Sequence, residues 1–230
     1  MNKAKIFIAC DTANPRKLNQ VIKQSRTDKL KISYKIGLEF FLSPKGRNFI
    51  SKLRKEEIFL DLKLNDIPNT CASAIYSLRD IKNISYLTVH TQGGLEMLKM
   101  VKKAAKKINN KLKILGVTVL TSFSNSSIKK IGHTKSIKEL VRKQAALAKL
   151  AKLDGIVCSG HEVKFLEKIC KNMEIITPGI RLIGDNKGDQ KRVLTPKEAF
   201  ENGATSIVMG RSITRGNIKK NIQKLIKSLN

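Results

Sequence analysis

The stretch FLDLKLNDIPNT, Phe59 to Thr70, begins as an apolar strand and then places Asp61, Lys63 and Asp66 within six positions. Ionised groups at the mouth of a buried strand are costly unless each is paired. The cluster is therefore either a structural ion network or a reaction site. As a site, its chemistry is proton transfer, because neighbouring carboxylates keep a lysine ammonium protonated and fixed. Lys35, inside the run Tyr34–Gly37, supplies a second ammonium of the same kind.

The elements that must position these groups follow from periodicity. Runs with strand character lie at Lys5–Cys10, Tyr34–Gly37, Ile58–Leu62, Tyr86–His90, Ile114–Leu120, Gly155–Ser159, Glu174–Thr177 and Ser206–Met209. Helical periodicity occupies Pro15–Ser25, Lys45–Arg54, Thr70–Arg79, Leu95–Ile108, Ile137–Lys152, Glu162–Lys171, Pro196–Asn202 and Ile218–Leu229. Eight strand-helix units in 230 residues, with no linker rich in Pro, Gly or Ser, indicate an α/β chain folded as one (β/α)8 barrel over residues 1–230. A doubly wound open sheet is the competing arrangement.

In a barrel, chemistry belongs at the C-terminal ends of the strands. Asp11 follows the first strand, Lys35 lies in the second, and Asp61 with Lys63 closes the third. His90, Thr121, Ser159, Arg181 and Arg211 fall at or after the fourth to eighth strands. Side chains two apart on a strand share a face, so Asp61 and Lys63 should both enter the barrel mouth. Asp66 would come from the loop that follows, and Lys35 from the neighbouring strand. The alternating charges would make Lys63 a fixed proton donor.

Composition removes several other classes. A chain of this length with 41% hydrophobic residues can bury a full core. No apolar run approaches the ~20 residues that cross a bilayer, and the N-terminus lacks a signal-peptide apolar region. A cytoplasmic location is expected. Cys10, Cys71, Cys158 and Cys170 form no C-x-x-C pair, and His90, His133 and His161 are scattered. The cysteines read as reduced small hydrophobes, and no metal is implied. The net charge of +28 would draw in polyanions. The lysines, however, are spread over nearly every helical segment, and aromatic residues are only 5% with no Trp, so stacking platforms for bases are missing. Nucleic-acid binding, if any, is expected to be non-specific.

The segment DLKLNDIPNT resembles the D-x-K-x-x-D-I-x-x-T motif of the orotidine 5′-phosphate decarboxylase family. The likeness extends through ACD at Ala9–Asp11, YKIGLEFF at Tyr34–Phe41, VTVLTS at Val117–Ser122, TPGIR at Thr177–Arg181, DQKRVLTPKEA at Asp189–Ala199 and IVMGRSIT at Ile207–Thr214. The resemblance implies cofactor-free loss of CO2 from orotidine 5′-monophosphate to give uridine 5′-monophosphate. Lys63 would protonate C6, with Asp61, Lys35 and Asp66 holding its ammonium. Asp66 would come from the partner subunit of a homodimer with shared sites. Asp11 and Lys35 would contact the ribose, Thr70 would lie beside the network, and Thr121 with Ser122 would contact the base. Gln190, Arg211 and the Gly210 N–H would grip the phosphate near Arg181, with Leu182–Lys191 as a phosphate lid.

Other readings stand beside these roles. Asp11 suits a helix N-cap, and Arg211 suits an exposed cation as well as an anion site. His90 reads as a wall histidine rather than a catalyst. Thr91 stands where the family leads one to expect alanine, and Leu182 where it leads one to expect proline. A metal-dependent sugar-phosphate relative on the same barrel shares the D-x-K-x-x-D motif, but Lys35 stands where that branch places an acidic magnesium ligand. A basic binding protein without catalysis would leave the rim motifs unexplained.

Overall fold

Along the first strand, β1 (Lys5–Ala9), Phe7 and Ala9 point to one side and Ile6 and Ile8 to the other, and all four are buried. A strand buried on both faces belongs in a parallel sheet covered by helices. The computed structural model, which describes residues 4–185 and 193–229, shows that arrangement. β1 is followed by β2 (Lys31–Gly37), β3 (Ile58–Leu64), β4 (Ile84–His90), β5 (Lys113–Val117), β6 (Gly155–Val157), β7 (Glu174–Thr177) and β8 (Ser206–Met209). They close in sequence order into one parallel barrel, with β8 paired to β1. The open-sheet alternative is thereby excluded.

Phe7, Ala9, Phe59, Tyr86, Leu115, Ile176 and Val208 fill the barrel, while the outward residues pack under the helices. The Phe7 ring meets Phe59 and Tyr86 edge-on, at centroid distances of 5.0 and 5.2 Å. Paired charges occupy the N-terminal mouth. Lys5 Nζ donates to Glu57 (3.1 Å) and Tyr86 Oη (2.7 Å), and Lys113 pairs with Glu174. The C-terminal mouth stays open.

The helices are α1 (Pro15–Ser25), α2 (Leu38–Phe41), α3 (Gly46–Lys52), α4 (Pro68–Tyr76), α5 (Gly94–Ile108), α6 (Asn125–Lys130), α7 (Ile137–Leu150), α8 (Val163–Leu166), α9 (Pro196–Glu201), α10 (Arg211–Thr214) and α11 (Ile218–Leu229). Local chemistry starts several of them. Asn14 caps α1 before Pro15, Ser136 and Glu139 form a capping box on α7, and Thr195 and Glu198 do the same on α9. Among the described residues no helix is long and apolar enough to cross a membrane. All four cysteines are buried and free. Burial pushes the Cys10 thiol up to about 12 and the Cys170 thiol to about 11, so both stay protonated near neutrality.

The element boundaries differ from the sequence expectation where side chains leave the ladder. β5 ends at Val117, short of Leu120: the Thr118 N–H still donates to the Val157 carbonyl, and Val119 to Ser122 form cavity wall. The expected helix Glu162–Lys171 is only a 3-10 turn at Gly160–Glu162 followed by the four-residue α8. The short helices α2, α6 and α10 carry too few residues to show a period.

Candidate active site

The site is organised by an irregularity in β3. Its pairing with β4 runs Phe59↔Tyr86 and Leu60↔Leu87, then jumps to Leu64↔Val89, so residues 61–63 span the level of Thr88 alone. Such a bulge re-aims side chains. Lys63 adopts φ of +49°, the left-handed region that side-chain-bearing residues rarely enter. Strand alternation is therefore not the whole reason that Asp61 and Lys63 meet.

Asp61 is the hub. Its Oδ2 accepts from Lys63 Nζ at 2.8 Å and from Lys35 Nζ at 3.0 Å, and its Oδ1 accepts from the Thr88 hydroxyl at 2.9 Å. Asp11 Oδ1 lies 3.5 Å from Lys35 Nζ. Burial disfavours the Asp61 carboxylate, but the Lys35 and Lys63 ammoniums outweigh it and hold the group at about 2. Burial likewise works against the Lys35 ammonium, yet Asp61 and Asp11 outweigh it and its pKa lies above the ordinary lysine value. Both ions are thus charged over the whole neutral range.

This network forms one wall of a cavity of about 590 Å³ at the C-terminal mouth. Val117, Val119, Leu120, Val157 and Phe59 supply apolar wall, suited to a flat ring. Arg181, Gly210 and Arg211 line the cavity as well, following β7 and β8. Arg181 is buried; its Nη1 donates to the Ile180 carbonyl at 3.0 Å, and its Nε has no partner among the described residues. Burial, then the charge of Arg211, lowers the Arg181 pKa against the opposing pull of Asp185.

Of the residues singled out from the sequence, Asp11, Lys35, Asp61, Lys63, Thr121, Ser122, Arg181, Gly210 and Arg211 line this one cavity. Asp11 does not cap α1, a role taken by Asn14 Oδ1 on the Arg16 and Lys17 N–H groups. Asp66 and Thr70 are exposed and lie outside the cavity lining. Within the chain the Asp66 carboxylate accepts the Ile67 N–H at 2.7 Å and forms no ion pair with a described residue. Gln190 lies outside the described residues, as does most of the expected lid. His90 ends β4 half-buried and does not line the cavity; burial, then the Lys63 charge, keeps its imidazole below the ordinary value.

Sequence reasoning missed Lys17 and Arg215, two further cations lining the cavity, and Thr88. Thr88 carried a weak signal: in ISYLTVH it is a hydroxyl between apolar neighbours on a buried strand.

Residues 4–224 match the model of the "Orotidine 5'-phosphate decarboxylase / HUMPS family". The chain is 43% identical over 229 residues to an orotidine 5'-phosphate decarboxylase of Wolbachia sp. subsp. Brugia malayi, covering 97% of this chain and 98% of that one. It is 41% identical over 231 residues to the enzyme of the same name from Fusobacterium nucleatum, covering 99% and 96%. Among solved structures, the orotidine 5'-phosphate decarboxylase of Lactobacillus acidophilus superposes with a TM-score of 0.84 at 33% identity, over 99% of this chain and 100% of that chain.

Proposed function

Since the chain belongs to the orotidine 5′-phosphate decarboxylase / HUMPS family, we propose that Lys63 is the proton donor in its cofactor-free decarboxylation of orotidine 5′-monophosphate to uridine 5′-monophosphate, a step of pyrimidine biosynthesis. The observation that carries this reading is the Lys63 ammonium held 2.8 Å from Asp61, which is ionised throughout the neutral range, inside the cavity.

The reaction breaks the bond between C6 and the carboxylate. CO2 leaves, and the electron pair stays on C6 in an sp2 orbital that the ring delocalises poorly. Stabilisation must come from positive charge already in place and from rapid protonation. The Lys63 ammonium supplies both, passing its proton to C6 and regaining one from solvent. Asp61 and Lys35 hold that ammonium without reorganising during the reaction. Asp11 and Lys35 contact the ribose, and Thr121 with Ser122 contacts the base.

Arg181, Arg211 and the Gly210 N–H bind the phosphate, joined by Gln190. A dianion there relieves the mutual repulsion of the arginines. Binding energy at the phosphate, far from C6, is available to hold the closed, reactive arrangement.

Asp66 completes the network of a partner subunit in a homodimer. Its exposure in the single chain supports this, as do the exposed apolar side chains of Ile67 beside it (66%) and of Leu42 after α2 (73%). Both follow neighbouring strands, β3 and β2, at the open end of the barrel. The free buried thiols and the substrate's chemistry fit a cytoplasmic enzyme. Lys35, paired with Asp61, places a second cation where the metal-dependent relatives need an acidic ligand.

The deciding experiment follows the orotate absorbance when purified protein meets orotidine 5′-monophosphate with and without a chelator. Equal loss of the chromophore in both is expected. No loss overturns the reaction, and loss only without the chelator overturns metal independence.

A further inference from the structure

Thr88 sits wholly out of solvent on β4, and its hydroxyl makes two contacts that converge on the reacting lysine. It accepts the backbone N–H of Lys63 at 2.9 Å and donates to Asp61 Oδ1 at 2.9 Å. Proton direction is forced. The N–H can only donate and an ionised carboxylate can only accept, so the single atom between them must do both, which a hydroxyl can do and a hydrocarbon cannot.

Geometry makes this bridge more than a filled hydrogen bond. In an unbroken ladder continuing from Leu60↔Leu87, Lys63 would stand opposite His90, about 7 Å beyond Thr88 along the strand. The bulge instead keeps residues 61–63 at the level of Thr88, with Lys63 in a left-handed backbone conformation. That conformation is unfavourable for a residue with a side chain and persists only where the surroundings hold it. The Thr88 hydroxyl replaces the ladder bond that the bulge takes from Lys63. With its other contact it occupies Asp61 Oδ1, leaving Oδ2 to the ammoniums of Lys63 and Lys35.

We infer that Thr88 is a positioning residue for the reaction: it pins the β3 bulge and the Asp61 carboxylate together so that the Lys63 ammonium is held where its proton is delivered. This rests on the reading of Lys63 as the proton donor. Thr88 is not among the residues lining the cavity, so its effect falls on turnover rather than on binding.

The test compares Thr88→Val, which keeps the shape and removes the hydroxyl, with Thr88→Ser, which restores it, in the full-length protein. Thr88→Val should lower kcat by about 10- to 100-fold, the scale of a supporting-shell loss or of an ångström-sized misplacement. KM and the Kd of uridine 5′-monophosphate should stay within about threefold, since the phosphate grip is untouched. Thr88→Ser should recover most of the lost turnover. Should the valine variant not fold, Thr88→Cys replaces it, because a thiol is a weak donor of similar size and should fall well below Thr88→Ser. Wild-type kcat in the hydroxyl-free variant, equal rates for serine and its hydroxyl-free counterpart, or a loss confined to KM would each overturn the inference. Lys63→Ala is measured in parallel. If that variant turns over normally, the proton-donor reading itself fails; if it is inactive while Thr88→Val is unimpaired, only the role of Thr88 fails.

Discussion

Replacing Asp61 with Asn removes the one anion that two lysines share. Lys63 Nζ and Lys35 Nζ contact the same oxygen at 2.8 and 3.0 Å, so the two ammoniums lie within about 6 Å of each other, and at an effective dielectric of about 20 they repel by about 3 kcal/mol. In the wild type Asp61 offsets that repulsion. In the variant Asp11 is the described carboxylate of the chain left near Lys35, at 3.5 Å. Either Lys35 releases its proton or the Lys63 side chain swings away, and both outcomes disturb the donor. If the lost ~3 kcal/mol appears in the transition state, turnover falls by about a hundredfold. The stability signature is separate. The folded Asp61 pKa is depressed from 3.8 to about 2, so its contribution is fully present above pH ~4 and is lost as pH falls through about 2. At 1.36 kcal/mol per pKa unit that contribution is roughly 2 to 3 kcal/mol. The assays are turnover at neutral pH and urea unfolding of both proteins between pH 2 and 6. Asp61→Asn should be slow, and its stability should fall less steeply with acid than that of the wild type. Turnover within tenfold of wild type, or identical acid dependence of stability, refutes the hub role.

Other perturbations probe the remaining parts of the site. Lys63→Ala should abolish decarboxylation while the circular dichroism spectrum is retained; near-normal turnover ends its role as donor. Mixing the inactive Asp66→Asn and Lys63→Ala chains should regain part of the activity through hybrid dimers, and no regain despite demonstrated subunit exchange counts against shared sites. Arg211→Ala should cost about 10- to 100-fold in kcat/KM for the nucleotide, the range of one charge-assisted contact, and far less for the phosphate-free nucleoside. Equal losses on both substrates would place Arg211 away from the phosphate.

Much of this site is legible in the sequence. Asp61, Lys63, Lys35 and Asp11 stand out by charge at strand ends, and the structure joins them in one ion network, with Lys63 and Lys35 on Asp61 and Asp11 beside Lys35. Arg181 and Arg211, 30 positions apart in the chain, were likewise placed on the same rim, and both line the cavity. Lys17 and Arg215 escaped notice because surface lysines and arginines are plentiful in this chain, with 46 Lys and Arg in all, and nothing local separates a cavity cation from a solvated one. Asp11 suits a helix cap by residue type, yet Asn14 takes that place for a similar reason: Asp and Asn both suit the role, and the turn geometry that selects Asn14 is not written in either residue.

Sequence by itself determined the number and order of strands, the helix faces and the kinds of charge offered at the open end. Short continuous apolar runs mark the strands and a 3.6-residue apolar spacing marks the helices, and both signals are local. Only the tertiary structure decided how β3 registers against β4, why Lys63 takes a left-handed turn, and that the hydroxyl of Thr88, 25 residues away, meets its backbone. Those facts depend on which atoms two separate strands bring to the same level, and a bulge shifts that level without altering the hydrophobic pattern that specifies either strand.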